Sequence, residues 1–253
     1  MQNQLSVNQV SVGQDYQLNL QTSLKIHLVE REDVFYTKGR NLAKAVYKEV
    51  WNTENLVDGN DYGIVVVQDG KVLGNTNIQL RKPGKKLKSE IFFGEHHWQD
   101  YFEADDFEVG EISAFSIAQD APTELRRPIM MMLLTGMQTI CRIKGIGRLA
   151  TVQHPYLFRI LHKSLHLPLY KNQEVTQPIG NLPNDNYWKK SKPPSIYYLD
   201  ILGSQMINIS YSFLSYLNML GIETNFLPRI QEKKDLSYSS FVKQWNQHIE
   251  LSN

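Results

Sequence analysis

Apolar and polar residues alternate from Ser23 to Val29, with Leu24, Ile26 and Leu28 on one side, which is the period of a half-buried strand. A helix is expected next. Asp33 is placed to cap it, Leu42, Ala45, Val46 and Val50 fall on one helical face, and the pattern ends near Trp51 before a polar loop, 52–61. Tyr62 to Val67 and Val72 to Leu80 read as strands, and the Asp69-Gly70 pair between them favours the positive φ angles of a tight hairpin. A further strand is expected over 109–118, carrying Val109, Ile112, Phe115 and Ile117. After Asp120-Ala121-Pro122, Thr123 is placed to cap a long helix through Ile143, with Glu124 suited to its positive end.

Gly145 and Gly147 separate this helix from a strand over 148–153. Pro155 opens a short helix ending near Leu165, and a last strand over 195–200 follows the polar, proline-bearing stretch 171–194. Two helical patterns, 206–220 and 237–249, close the chain. The reading is an α/β chain with a mixed sheet and helices on both faces: an arm over 1–22, one domain over 23–200 and a C-terminal helical extension over 201–253. No internal repeat stands out.

Composition narrows the functional classes. The 253 residues are enough for one sizeable core, and the 27 basic residues against 26 acidic ones leave no bulk attraction for nucleic acid or an anionic membrane. Cys141 is the sole cysteine and falls in the apolar long-helix pattern, so a buried spectator is expected rather than a disulfide or zinc ligand. Residues 1–20 lack the basic and apolar regions of a secretory signal, and 201–222 are too polar for a lipid-facing span, so a cytoplasmic protein without an integral membrane segment is expected. His96-His97 has no partner at metal-site spacing, and no metal is expected. There is no phosphate-loop lysine pattern, dinucleotide fingerprint or Gly-x-Ser-x-Gly elbow. The lysines at 82, 85, 86 and 88 read as a solvated loop, with a phosphate-contacting patch as the alternative.

Several segments resemble a known family. The element order is that of the GNAT (acyl-CoA N-acyltransferase-like) fold. Four segments look more specifically like its acyl-carrier-protein-dependent relatives, the N-acyl amino acid synthases and the acyl-homoserine lactone (autoinducer) synthases. They are Val46-Tyr47-Lys48-Glu49, the acidic pair Asp58 and Asp61, Val72-Leu73-Gly74, and Gly110-Glu111-Ile112-Ser113 with Phe115. Three arginines of the family pattern are absent, their places falling at Ala43, Asn77 and Ala114, unless Arg40 or Arg81 substitutes. The register of the glycine-rich donor loop reads 125–130, with Pro128 and Met130 where glycines would let backbone approach a pyrophosphate.

The resemblance implies transfer of a fatty acyl group from acyl carrier protein to the amine of an amino acid or similar small acceptor. The donor would be an acyl-phosphopantetheine, or acyl-CoA, with no permanently bound cofactor. Glu111 is the candidate base, the competing account being a surface glutamate or a structural ion pair. His162 is the candidate acid for the departing thiolate. Backbone around Phe115, Ser116 and Ile117 would meet the acyl carbonyl and pantetheine arm, and Arg126 and Arg127 its phosphate or an acidic carrier surface. Asp58, Asp61 and Ser113 are the candidate acceptor contacts, and Met130 to Met132 either line an acyl tunnel or pack the core. The alternatives are a CoA-dependent N-acetyltransferase, an autoinducer synthase-like enzyme and a noncatalytic binding module of this fold.

Overall fold

The computed structural model describes residues 22–54, 56, 58–98, 107–179 and 182–230. The expected arm lies outside them except for Thr22, as does the helix expected over 237–249. Eight strands form one sheet in the order β6-β7-β5-β4-β3-β2-β1-β8. β1 (Thr22–Glu30), β2 (Tyr62–Gln68), β3 (Lys71–Leu80) and β4 (Val109–Ile117) run antiparallel in succession. β5 (Arg148–Gln153) joins β4 in parallel, and β7 (Ser195–Asp200) lies between β5 and the two-residue β6 (Tyr170–Lys171). The expected hairpin is present, with Asp69 at φ 48° and Gly70 at φ 80°.

Alternation along the strands divides the molecule into layers. On β2, Ile64 and Val66 join the main core under α3 (Thr123–Lys144), whereas Val65 and Val67 pack with Tyr36 of α1 (Val34–Trp51). The same division holds on β7: Tyr197 faces the α3 core, while Tyr198 packs with Trp98 and Phe93 on the side of α1 and α2 (Lys88–Phe93). Cys141 is fully buried in α3, and burial pushes its thiol pKa up. Met131 and Met132 are buried in the same core, which decides for packing at those two positions.

The sequence reading lacks α2 and β6, and three further elements differ from it. The buried face of α1 is Tyr36, Gly39, Arg40 and Ala43 rather than the Leu42–Val50 stripe, of which Ala45 and Val50 are exposed. Gly39 makes this approach possible: a Cβ there would lie 2.3 Å from Asn75 Oδ1 on β3. At α3 the N-cap is Pro122, with no side-chain hydrogen bond, and Thr123 is the first helical residue. Beyond α5 (Ser204–Met219), residues Ile222–Arg229 form β8, an edge strand parallel to β1. The alternation there is weak and Pro228 suggests a break, but an edge strand tolerates proline because one row of N–H groups has no partner strand. The C-terminal stretch thus adds a strand to the same sheet.

His97, on a short 3-10 turn (Glu95–Trp98), is fully buried. The Tyr198 hydroxyl donates to the His97 carbonyl at 2.6 Å, so the imidazole Nδ1, 2.9 Å from that hydroxyl, is its protonated nitrogen. Burial lowers the His97 pKa from 6.5 to about 4. As pH falls the unfolded chain therefore takes up this proton first. The stabilisation is complete above the unfolded value of 6.5 and is lost progressively as pH drops to about 4, a total of about 3 kcal/mol. Denaturant unfolding followed across this range is expected to show that loss, and His97→Gln is expected to remove its share of the slope. Parallel curves for the two proteins would contradict it.

Candidate functional site

The site forms where β4 and β5 part. The two strands pair from Val109 with Arg148 to Ile112 with Thr151 and no further, although β4 continues to Ile117 and β5 to Gln153. The cause lies two residues beyond the last pair. Ala114 has φ 54°, and the register with β3 shifts between Asn75 and Asn77, which marks a bulge that bends β4. Asn75 Nδ2 holds the bulge by donating to the Ala114 carbonyl at 3.1 Å.

Around this opening, on the α1 and α2 side, lies a cavity of about 140 Å³. Its floor is Glu111, Ile112, Ser113 and Ala114 of β4 with Val152 and Gln153 of β5. Tyr47 of α1, Lys88 and Phe92 of α2, and Asp185, Tyr187 and Trp188 of the loop before β7 close it. A larger cavity of about 310 Å³ lies between α3, α5 and β8, and no carboxylate lines it.

Glu111 is 3% exposed. Its Oε2 accepts the Ser89 N–H at 2.7 Å. Burial raises its pKa above the ordinary carboxyl value, and the neighbouring Lys88 cation and the Ser89 hydrogen bond act in the opposite direction. Expected alternation thus places this side chain in a cleft, as a base needs. Ser113 also lines the cavity, and its hydroxyl donates to Asn60 Oδ1 at 2.7 Å.

Beside the floor, on the α1 side of the sheet, lies a buried polar network centred on Arg40. Arg40 is 3% exposed; its Nη2 donates to the Leu56 carbonyl at 3.1 Å, its Nη1 to Asn77 Oδ1 at 3.4 Å, and its Nε lies 3.8 Å from Asp58 Oδ2. Asp58 also accepts from the Tyr36 hydroxyl at 2.6 Å and from the Asn60 N–H at 3.3 Å. Burial pushes the Asp58 carboxyl up, but the Tyr36 hydroxyl, Arg40 and the Asn60 N–H outweigh it and hold the pKa below the usual value. Arg81 serves elsewhere, 2.8 Å from Glu90 of α2.

Asp61 is turned away from the cavity. It accepts the Leu80 N–H at 2.8 Å and pairs with Lys82, which makes it an anchor for the end of β3. Asp58 and Asp61 therefore do not act as one acidic pair. His162 is exposed on the π-helical turn after α4 (Pro155–Arg159); its Nδ1 lies 2.9 Å from the Leu167 carbonyl, and its ring stacks on Phe158, which stacks on Tyr197. That places it on the α3 side of the sheet, away from Glu111.

Phe115 and Ile117 pack against the α3 core, and the Ser116 hydroxyl donates to the Ala114 carbonyl at 3.2 Å. The donor-loop register 125–130 is already helical. Arg126 folds back on the Gln119 carbonyl at 2.6 Å, Arg127 donates to the Ser164 carbonyl at 3.4 Å, and Glu124 puts a negative charge in the first turn.

The lysine segment is not one patch. Lys82 pairs with Asp61, Lys85 donates to the Gly59 carbonyl and Lys86 pairs with Glu95, while Lys88 lines the cavity. Lys88 and the aromatic wall went unread in the sequence. The available signal was Tyr187-Trp188, two aromatics in an otherwise polar loop. The loop is tied to α1: Asn186 N–H donates to the Trp51 carbonyl at 3.1 Å and Thr53 to Asp185 at 3.2 Å. The Tyr187 hydroxyl in turn donates to the Val152 carbonyl at 2.6 Å, at the open end of β5.

Comparison with solved structures shows the same fold elsewhere. The CoA-dependent acyl-homoserine lactone synthase BjaI, with SAM and isopentyl-CoA, is 14% identical with a TM-score of 0.55, over 83% of this chain and 95% of that one. The chain has the fold of the acyl-homoserine lactone synthases. LasI gives 16% identity and a TM-score of 0.55 over 76% and 96%, and TofI, in a ternary complex with an inhibitor and MTA, gives 13% and 0.50 over 75% and 96%. These superpositions show a common GNAT-like architecture and leave the reaction to be argued from the residues. No protein-family model matches the sequence, and a comparison with curated proteins finds no match. Among the described residues, no helix of this GNAT-like fold is long and apolar enough to cross a membrane.

Proposed function

We propose that the chain is an N-acyltransferase that moves a fatty acyl group from the phosphopantetheine thioester of acyl carrier protein to the amine of an amino acid or similar small acceptor. The observation that carries this reading is Glu111, a buried carboxyl with raised proton affinity, lining a small cavity at the parting of β4 and β5. Such a group is matched to taking a proton from an ammonium near neutral pH. Glu111 accepts that proton; the amine nitrogen then attacks the thioester carbonyl carbon, the new C–N bond forms, the C–S bond breaks, and the second proton that the nitrogen sheds passes through solvent to the departing thiolate. The backbone edge of β4 beyond Ile112, without a partner on β5, supplies the polar groups for the carbonyl and pantetheine arm.

Carrier protein is favoured as the donor by the N-terminal end of α3. Its first turn carries Glu124, and Arg126 is engaged with a backbone carbonyl, an arrangement poorly suited to a pyrophosphate. The 14%-identical BjaI is described as CoA-dependent, so CoA thioesters are the necessary parallel arm. The test incubates the chain with acyl-carrier-protein thioesters or the matching CoA thioesters and a panel of amines, read by mass spectrometry. Acylated amine is expected with the carrier-protein donor at the higher rate. Faster turnover with CoA overturns the donor assignment, and no acylated amine with either donor overturns the function.

A further inference from the structure

The larger cavity, about 310 Å³, opens on the α3 side of the sheet, where Leu28 of β1 joins the core. None of the described residues bordering it belongs to β4 or β5. Two helix stripes frame it. Thr135, Gln138, Thr139 and Arg142 recur at three- and four-residue spacing on α3, as do Ile207, Ser210 and Leu214 on α5. Stripes of this kind ordinarily interdigitate. Here the polar stripe of α3 and the mainly apolar one of α5 border open space instead.

The polar groups around that space are not equivalent. Thr135 and Thr139 give their hydroxyl protons to the Met131 and Thr135 carbonyls one turn back. Ser210 is 4% exposed, and its Oγ has no hydrogen-bond partner. A buried hydroxyl left that way lowers stability, and a ligand that accepts its proton removes the cost. Gln138, 5% exposed on the facing helix, lines the same space. Arg142, half-buried at the far end of the stripe, is the one charged group in the described lining. It is already engaged, but a guanidinium has five N–H donors, so an existing contact does not exhaust it. Donors and a cation without a carboxylate select an anion, and the remaining wall selects a hydrocarbon body.

We propose that this cavity binds a small carboxylate with an apolar body, its carboxylate held by Ser210, Gln138 and Arg142 and its body set against Ile207, Leu214 and Phe226. The site lies across the sheet from Glu111 and is independent of the acyl-transfer reading, so its test involves no turnover.

Octanoate and octanol are the matched probes. Calorimetric titration of the full chain with each, without acyl donor or acceptor amine, is expected to show octanoate bound about tenfold more tightly. Arg142→Met is expected to bring the ratio of the two affinities close to one. Ser210→Ala is expected to weaken octanoate about fivefold while Tm holds or rises, because the hydroxyl has no partner to lose. A serine that served only the packing of α5 would instead lower Tm and leave octanoate binding alone. Octanoate bound no better than octanol, binding of neither, or an octanoate affinity unchanged in both variants would overturn the inference.

Discussion

Glu111→Gln is expected to slow acyl transfer by about 10³-fold while leaving the fold intact. The amide keeps an oxygen to accept the Ser89 N–H and fills the same volume, but it cannot take a proton from the acceptor ammonium. Thermal unfolding should therefore change little. The wild-type kcat/KM should rise with pH through an apparent pKa above that of a free carboxyl, because burial outweighs Lys88 and the Ser89 hydrogen bond. In Glu111→Gln that limb should vanish. A variant with wild-type kcat would show that the carboxyl is a structural part of the wall.

Arg40→Met carries the largest expected loss of stability. The guanidinium is buried among the Leu56 carbonyl, Asn77 and Asp58, and methionine fills its stem but satisfies none of these groups. Removing one side of a buried pair costs about 3 kcal/mol where the remaining partner is partly solvated, as Asp58 is. For a domain of this size that lowers Tm by roughly 10 °C. Two polar routes lead from Arg40 to the floor of the cavity: an ion pair to Asp58 and hydrogen bonds on through Asn60 and Ser113 form one, and hydrogen bonds through Asn77, Asn75 and the Ala114 carbonyl form the other. Catalysis should consequently fall at temperatures where the variant is still folded. A Tm within 2 °C of wild type would contradict the account, the threshold being about half a kcal/mol.

The order of elements was legible in the sequence because each strand and helix carries its own period, and the Asp69-Gly70 turn and Asp33 cap act locally. The placement of Glu111 in a cleft was legible for the same reason, alternation with Ile112. The unread parts depend on contacts distant in sequence. Arg40 is indistinguishable from a surface arginine until Gly39 brings α1 against Asn75. Lys88 looks like its neighbours 82, 85 and 86, and only the docking of α2 beside β5 sends it inward. The pairing of Asp58 with Asp61 came from the family resemblance, yet the two carboxylates meet different partners. β8 was hidden because its pairing with β1 spans almost the whole chain.

The loop that closes the cavity is fastened to the end of α1 and, through Tyr187, to the end of β5, and it contributes neither Glu111 nor the β4 edge beyond Ile112. Under the proposed function, acceptor choice and acyl chemistry would be carried by separable pieces of chain. Exchanging residues 182–188 for other sequences that keep the Thr53 and Trp51 anchors would redraw the acceptor's outline while the proton-transfer apparatus stayed as it is. Diversity of product among proteins built on this plan would then arise at a loop rather than in the sheet.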